Sequence, residues 1–208
     1  MSECVLAIDL GTGGPKVALV QRSGHTLAWR SRPVVTRFVD AAKGRGAEQD
    51  PEEMWAAIVA ATHEVLAAVV PLPSIVGVAV TSQYMSTIPV RADGTPTGPC
   101  ILWMDTRGAA HNLTLLTDES FMLFLERHGM IPLPSGNDNV AHAHVLQAFH
   151  PEAYAAAAAL VEPMDYVVAR LTGEVGATQS TVFGQLVCDN RQWGSTEYDP
   201  DLLAATGL

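Results

Sequence analysis

The amino-acid sequence predicts an α/β fold, and three observations carry that prediction. Three short apolar runs at the N-terminus are separated by brief turns rich in Gly and Ser. A capped helical pattern over residues 50–70 then leads into another apolar run at 75–80. From residue 105 onward, helical patterns dominate. Strands joined first by tight turns and then alternating with helices point to a sheet flanked by helices.

Taken in order, "CVLAIDL", "KVALVQ" and "TLAWRSRPVV" read as strands, and the turns "GTGGP" and "RSGH" join them into an antiparallel meander. Residues 36–46 are mixed and mildly basic and read as a loop. "DPEEMWAAIVAATHEVLAAVV" is the strongest helix in the chain. Asp50 suits the N-cap, Pro51 suits the first helical position, and Glu52 and Glu53 complement the positive end of the helix dipole. Its apolar positions Trp55, Ile58, Val59, Thr62, Val65, Leu66 and Val69 recur at helical spacing, and Pro71 and Pro73 end it. "IVGVAVTSQ" reads as a buried strand with a polar end at Thr81, Ser82 and Gln83. "TIPVRADGTP" adds a strand with a turn at Asp93–Gly94, and "PCILWMDTR" ends in a second polar cluster.

Helices are then expected over "TRGAAHNLTLLT", "DESFMLFLERHG", "NVAHAHVLQAFH" and "PEAYAAAAALV". A further helix is expected over "PMDYVVARLTGE", with Gly173 just past its end. "TQSTVFGQLVCD" returns to strand-like composition, and "DPDLLAATGL" reads as a short capped helix. No repeat and no linker between folded units is apparent; the alanine run 155–159 is simply good helix sequence.

Composition narrows the function classes. Of 208 residues 48% are hydrophobic, a globular balance, and 22 Asp+Glu against 12 Lys+Arg give a net charge of −10. A nucleic-acid partner needs a basic patch, so none is expected. Cys4, Cys100 and Cys188 are far apart, odd in number and set in apolar surroundings, and read as buried thiols of a reducing compartment. No signal peptide and no apolar run long enough for a membrane span is read, so no membrane partner is expected and the default location is cytoplasmic.

Two segments carry candidate chemistry. Asp9 leaves an apolar run into a turn containing Gly11, Thr12, Gly13 and Gly14, and Lys16 comes next on the second strand. A carboxylate there could hold hydrated Mg²⁺, while glycine amides and the lysine neutralise phosphate oxygens. Alternatively, Asp9 caps a hairpin and Lys16 is a solvated strand residue. The second candidate pairs "SQYM" (82–85) with "WMDTR" (103–107), both leaving strands and able to line one crevice. Asp105 and Arg107 could bind vicinal hydroxyls and Trp103 could stack on a sugar ring; alternatively, Asp105 caps a helix starting at Thr106 and Arg107 pairs locally. His142 and His144 lie in a helical pattern that sends them to different faces, so no metal site is assigned to them.

Six segments in register, "AIDLGTGGPKVALV", "EQDPEEMW", "GVAVTSQYM", "PCILWMDTR", "PMDYVVARLTGE" and "CDNRQW…LLAATGL", resemble the N-terminal half of the FGGY carbohydrate kinases, nearest their xylulokinase-like branch. The resemblance covers nearly the whole chain. It implies a ribonuclease-H-like fold of the actin/hexokinase superfamily, a mixed sheet with flanking helices. It also implies ATP and Mg²⁺ as cofactors and a sugar or polyol as substrate. Asp9, through water, would help position Mg²⁺, and Gly11, Thr12, Gly13 and Lys16 would approach the phosphates. Gln83, Tyr84, Met85, Trp103, Asp105 and Arg107 become substrate-site candidates.

The departures are specific. Met85 stands where xylulokinases carry a sugar-contacting histidine. Gly13 and Pro15 replace a hydroxyl residue and an aliphatic residue, and Pro15 removes a backbone N–H. Met164 replaces a lysine, and Thr178 and Thr181 stand where carboxylates are common. By the resemblance, residues 1–208 form an N-terminal domain incomplete at its C-terminal end. The catalytic aspartate and the whole C-terminal domain would lie beyond Leu208, so this piece alone should be inactive. The alternative is a non-catalytic sugar-binding or regulatory module derived from such a kinase. An incompletely covered domain would also expose an apolar face and favour a homodimer.

Overall fold

The computed structural model describes residues 3–41, 44–192 and 194–208. Ala42 and Lys43, within the expected 36–46 loop, and Trp193, within the "CDNRQW" segment, lie outside the described residues. The chain forms two compact units, one of residues 1–36 and 49–83 and the other of residues 37–48 and 84–208.

The first unit is built on a four-stranded sheet of order β3-β2-β1-β6. The strands β1 (Glu3–Gly11), β2 (Gly14–Gln21) and β3 (Thr26–Ser31) form the expected antiparallel meander, and β6 (Ser74–Ser82) pairs parallel to β1. On β1, Cys4, Leu6, Ile8 and Leu10 are buried and alternate with half-buried Val5, Ala7 and Asp9, the two-residue period of a strand. Leu6 lies opposite Leu19 and Ile8 opposite Val17, so one face of the sheet is apolar throughout.

That face is covered by α1 (Pro51–Ala67), which packs on β2 and β3. Asp50 caps it as expected, its side chain accepting from the Glu52 N–H at 2.9 Å. The buried stripe is Met54, Ile58, Ala61 and Val65; the expected Trp55, Val59, Thr62 and Leu66 are half-buried flanks, and Val69 falls beyond the helix end. The stripe is thus centred one residue earlier than the apolar positions suggest.

The expectation of a buried strand at β6 is corrected. Val76 and Val78 are 54% and 48% exposed. The strand lies at the sheet edge, with β1 as its one strand partner among the described residues, and α1 sits over β2 and β3 instead. Its apolar run reflects two potentially covered faces, which the described residues do not cover.

The second unit contains a three-stranded sheet, β4 (Arg37–Ala41), β5 (Gly44–Gln49) and β8 (Cys100–Ile101), of which Gln49 itself belongs to the first unit. The expected loop at 36–46 is therefore largely a hairpin, with Phe38 opposite Ala47 and Val39 opposite Gly46. Glycines hid it: a Cβ at Gly46 would stand 2.9 Å from the Arg107 guanidinium, so the strand needs a residue that strand statistics disfavour.

A two-stranded sheet pairs β7 (Ile88–Val90) with β9 (Ala159–Val161). The expected helix over 151–161 is thus corrected. The helix α5 (Pro151–Ala156) is short, and the rest of the alanine run leads into β9, just before which the Ala158 N–H reaches the Val90 carbonyl at 2.7 Å. Pairing with a buried strand overrides helix propensity. The remaining helices are α2 (Ala109–Leu115), α3 (Asp118–Leu123), α4 (Asn139–Phe149), α6 (Pro163–Thr172) and α7 (Pro200–Thr206). After α3 the chain continues as one π-helical turn over Phe124–His128, and Gly173 ends α6 in the left-handed region as expected. The strand-like "TQSTVFGQLVCD" is also corrected, forming turns and a 3-10 turn at Phe183–Gln185. Thr178 and Thr181 hydrogen-bond each other's backbone N–H at 2.8 and 3.2 Å, which closes a turn in place of a ladder.

Between β8 and α2, Asp105 is fully buried. It accepts from the Ala47 N–H at 2.9 Å and the Arg107 N–H at 2.9 Å, and from Arg107 Nη2 at 2.6 Å. Arg107 in turn donates to Glu48 Oε1 at 2.7 Å, which also meets His150 Nε2 at 2.9 Å. The Asp105 carboxylate therefore ties β5 to the segment after β8. Its pairing with Arg107 is the local alternative to a substrate role, although the helix begins at Ala109 with Gly108 as its cap rather than at Thr106.

No helix among the described residues is long and apolar enough to cross a membrane. Two substitutions test this packing. Asp50→Ala should cost about 1 kcal/mol through loss of the cap. Asp105→Ala should cost about 3 kcal/mol or more, because it removes the carboxylate partner of a buried guanidinium and the acceptor of two backbone N–H groups. Urea unfolding of the 208-residue chain measures both; equal, small effects would remove the structural role of Asp105.

Candidate functional site

The first candidate lies in the first unit, where β1 runs into β2. The connection is a two-residue turn, Thr12–Gly13, with Gly11 paired to Gly14. Gly14 has φ +119, and a Cβ there would fall 2.0 Å from the Arg32 carbonyl oxygen, so no other residue fits. Gly13 is exposed, with open space around its would-be Cβ. Asp9 and Lys16 are cross-strand partners, and Lys16 Nζ stands 3.1 Å from Asp9 Oδ2 with both side chains solvent-accessible. The alternation that buries Ile8 and Leu10 is what presents Asp9 on the opposite face.

A closed circuit of hydrogen bonds holds the turn. The Thr12 hydroxyl donates to Gln83 Oε1 at 3.0 Å, and Gln83 Nε2 donates to Gln49 Oε1 at 3.2 Å. Gln49 Nε2 completes it by donating to the Thr12 carbonyl at 2.7 Å and also reaches Thr36 Oγ1 at 3.0 Å. The Gln83 N–H is anchored to the Leu10 carbonyl at 2.8 Å. Two expected site residues, Thr12 and Gln83, thus meet across 71 positions. Buried Gln49, which joins them, was not among the expected site residues, although it lies in the quoted "EQDPEEMW" segment.

Among the described residues no group of three or more His, Cys, Asp or Glu side chains could hold a metal ion. Mg²⁺ bound through substrate phosphates needs less, because it keeps several waters and uses one or two carboxylates. Asp9 is half-exposed and offers one carboxylate of that kind, paired here with Lys16.

The second candidate lies in the second unit. The Thr87 and Ile101 backbones exchange both hydrogen bonds at 2.8 Å, and the Trp103 N–H donates to Ser86 Oγ at 3.2 Å. These bonds join the residues that follow "SQYM" to the start of "WMDTR". Tyr84 and Trp103 are 46% and 43% exposed and form the accessible part. Asp105 and Arg107 turn inward into the ion-pair network that frames the segment. Met85 sits in the left-handed region with φ 55, a conformation costing about 1–2 kcal/mol for a residue with a Cβ.

Beneath Met85 lies a buried polar cluster that sequence reading did not single out. The Ser86 N–H donates to Glu162 Oε2 at 3.2 Å. Asn139 Nδ2 lies 3.1 Å from the Ser86 carbonyl, 2.9 Å from Thr87 Oγ1 and 3.1 Å from Glu162 Oε1. Burial pushes the Glu162 carboxyl up to about 8, with Asp165 adding to the rise. Burial likewise raises Asp165 to about 6 and lowers His142, which meets Thr87 Oγ1 at 3.2 Å, to about 4. His142 and His144 both lie on α4, as the helical pattern implies; His144 packs its ring on His111 at 3.4 Å.

Residues 4–208 match the model of the N-terminal domain of the FGGY family of carbohydrate kinases. The chain is 28% identical to a xylulose kinase from Streptomyces coelicolor over 208 residues, 98% of this chain and 40% of that protein. A glycerol kinase from Citrifermentans bemidjiense is 32% identical over 131 residues, 62% of this chain and 26% of that protein. Among solved structures, a xyloylose kinase from Brucella ovis superposes with a TM-score of 0.83 at 25% identity, covering 99% of this chain and 41% of that one. The fold is accordingly the expected α/β, actin/hexokinase-like one, and the chain spans about two fifths of the length of these full relatives. The match runs through both candidate sites and both units, and the chain belongs to the FGGY family of carbohydrate kinases, as an N-terminal domain.

Proposed function

We propose that this domain supplies the sugar-binding side of an ATP-dependent kinase acting on a ketose or polyol. A substrate hydroxyl oxygen would form a bond to the γ-phosphorus while the bond to the β,γ-bridging oxygen breaks and ADP leaves. The hydroxyl proton would pass to an aspartate contributed by a part of the protein outside these 208 residues, so this piece alone is expected to be inactive. Lys16 and the Gly11–Thr12–Gly13 turn would meet phosphate oxygens, and Asp9 would hold Mg²⁺ through water. Mg²⁺, when bound, would neutralise phosphate charge. Tyr84, Met85 and Trp103 would read the substrate, with Asp105 and Arg107 holding the frame and Gln83 holding the glycine turn. We place the activity in the cytoplasm, without nucleic-acid or membrane partners.

One observation carries this reading: an exposed carboxylate and ammonium flank a glycine turn whose shape is fixed from behind by Gln49 and Gln83. Such a turn is preorganised for an anion rather than simply solvated. The family membership supports phosphoryl transfer, and the relatives named as xylulose and glycerol kinases support a ketose or polyol. Apolar Met85 and the exposed Tyr84 and Trp103 rings fit a substrate that presents a carbon face. The exposed apolar β6 favours the homodimer in isolation.

A thermal-shift screen against pentoses, ketoses, hexoses and polyols tests the reading. A ligand at ten times its Kd stabilises by about 1.4 kcal/mol, so one class should raise the Tm by about 3–6 °C. Trp103→Ala should abolish that shift while leaving the unliganded chain folded. ATP with Mg²⁺ should give little or no shift with this piece. No response to any sugar or polyol would contradict the proposal.

A further inference from the structure

The strand pairing that forms the small sheet also delivers a carboxyl group to the substrate segment. In the β7–β9 ladder Ile88 lies opposite Val161, so the next residue, Glu162, falls opposite Thr87 and its side chain reaches the Ser86 N–H. Asn139, the first residue of α4, approaches from the other side and takes the Ser86 carbonyl. Both backbone groups of Ser86 are therefore held, immediately after the left-handed Met85. Gly184 closes the arrangement: a Cβ there would stand 1.9 Å from Asn139 Oδ1 and 3.4 Å from Met85 Cγ.

We propose that Glu162, with Asn139, is a positioning residue that clamps the turn at Met85 and thereby fixes how Tyr84 and Trp103 meet a sugar or polyol; this rests on the substrate reading under Proposed function. Ser86 is the shared element. Its backbone is held by the clamp, and its hydroxyl accepts the Trp103 N–H at 3.2 Å. Tyr84 precedes Met85 directly, so a turn that relaxes toward ordinary φ would re-aim one ring and release the other. Neither Glu162 nor Asn139 is exposed, so neither touches substrate.

The groups facing Glu162 are Asp165 on α6, Tyr84 and Cys100 on the neighbouring segments, and His142 on α4 through Thr87. Because burial holds the Glu162 carboxyl at about 8, against an ordinary value of 4.5, the folded state keeps its proton where the unfolded chain has lost it. Stability from this group is therefore greatest at low pH and is lost as pH rises through about 4.5 to about 8. Glu162→Gln removes this slope and leaves the smaller one from Asp165.

The test uses amide exchange and sugar affinity together. In Glu162→Ala the Ser86 amide should exchange at least about tenfold faster and affinity for the best sugar or polyol should fall about tenfold, whereas Glu162→Gln should stay within about threefold on both. Unchanged Ser86 protection in folded Glu162→Ala overturns the clamp. Lost protection with unchanged affinity overturns its bearing on substrate. If Glu162→Ala does not fold, the Ser86 amide of the unmodified chain decides the matter: its nitrogen shift should follow the titration of the Glu162 carboxyl, at whatever pH that falls, and should not titrate in Glu162→Gln. Absence of that titration also overturns the clamp. If the unmodified chain binds no sugar or polyol, the substrate reading fails while the Ser86 measurements still decide the clamp.

Discussion

The circuit joining Thr12, Gln83 and Gln49 is the constraint on which the rest of the first unit depends. It closes where β1, the strand flanked by both β2 and β6, gives way to a glycine turn. A two-residue turn with an exposed glycine would otherwise sample several shapes. Each amide in the circuit uses both its donor and its acceptor, so altering one side chain leaves two partners unmatched. The apolar face under α1 sets the register of β1, that register puts Asp9 on the open face, and the circuit fixes the turn beyond Asp9. Packing thereby fixes where Asp9 and the glycine turn stand relative to each other.

The second unit handles two buried carboxylates by opposite means. Asp105 is matched by Arg107 and by two backbone N–H groups, so its charge is compensated at the cost of a guanidinium that must also be buried. Glu162 is bonded by amide donors rather than by a cation, and burial drives it toward the neutral form. The first arrangement suits a permanent frame. The second holds the backbone after the Met85 turn through a carboxyl group whose proton affinity burial raises. Tyr84 and Trp103 stay exposed while both of these carboxylates are buried.

Much of the first unit was legible because local rules agree with the global outcome there. Apolar runs between short turns located β1 and β2, and Asp50–Pro51 marked the start of α1. The second unit was less so. Gly44 and Gly46 disguised a hairpin, Ala159 left a helical run to pair with Val90, and Thr178 and Thr181 closed a turn within a strand-like segment. The exposure of β6 was hidden because an apolar run does not say which of its faces is covered. The candidate residues themselves were legible as strand-end polar clusters and through the family resemblance. Their supports were not: Gln49 lies 34 positions from Gln83 and Glu162 lies 76 from Ser86, separations that no periodicity or spacing rule connects. The local pairing of Arg107 was one of two readings, but its bond to Glu48 on another strand was not legible.

Whether the exposed segment around Met85 reads a sugar or polyol while Asp105 only frames it is decided by a nuclear magnetic resonance titration of the labelled chain with the best ketose or polyol. The Trp103 indole and Met85 methyl signals should move with saturation, while the Ala47 and Arg107 amides bonded to Asp105 hold their positions. Saturable shifts confined to other residues, or dominated by the Asp105 network, would contradict this division of roles.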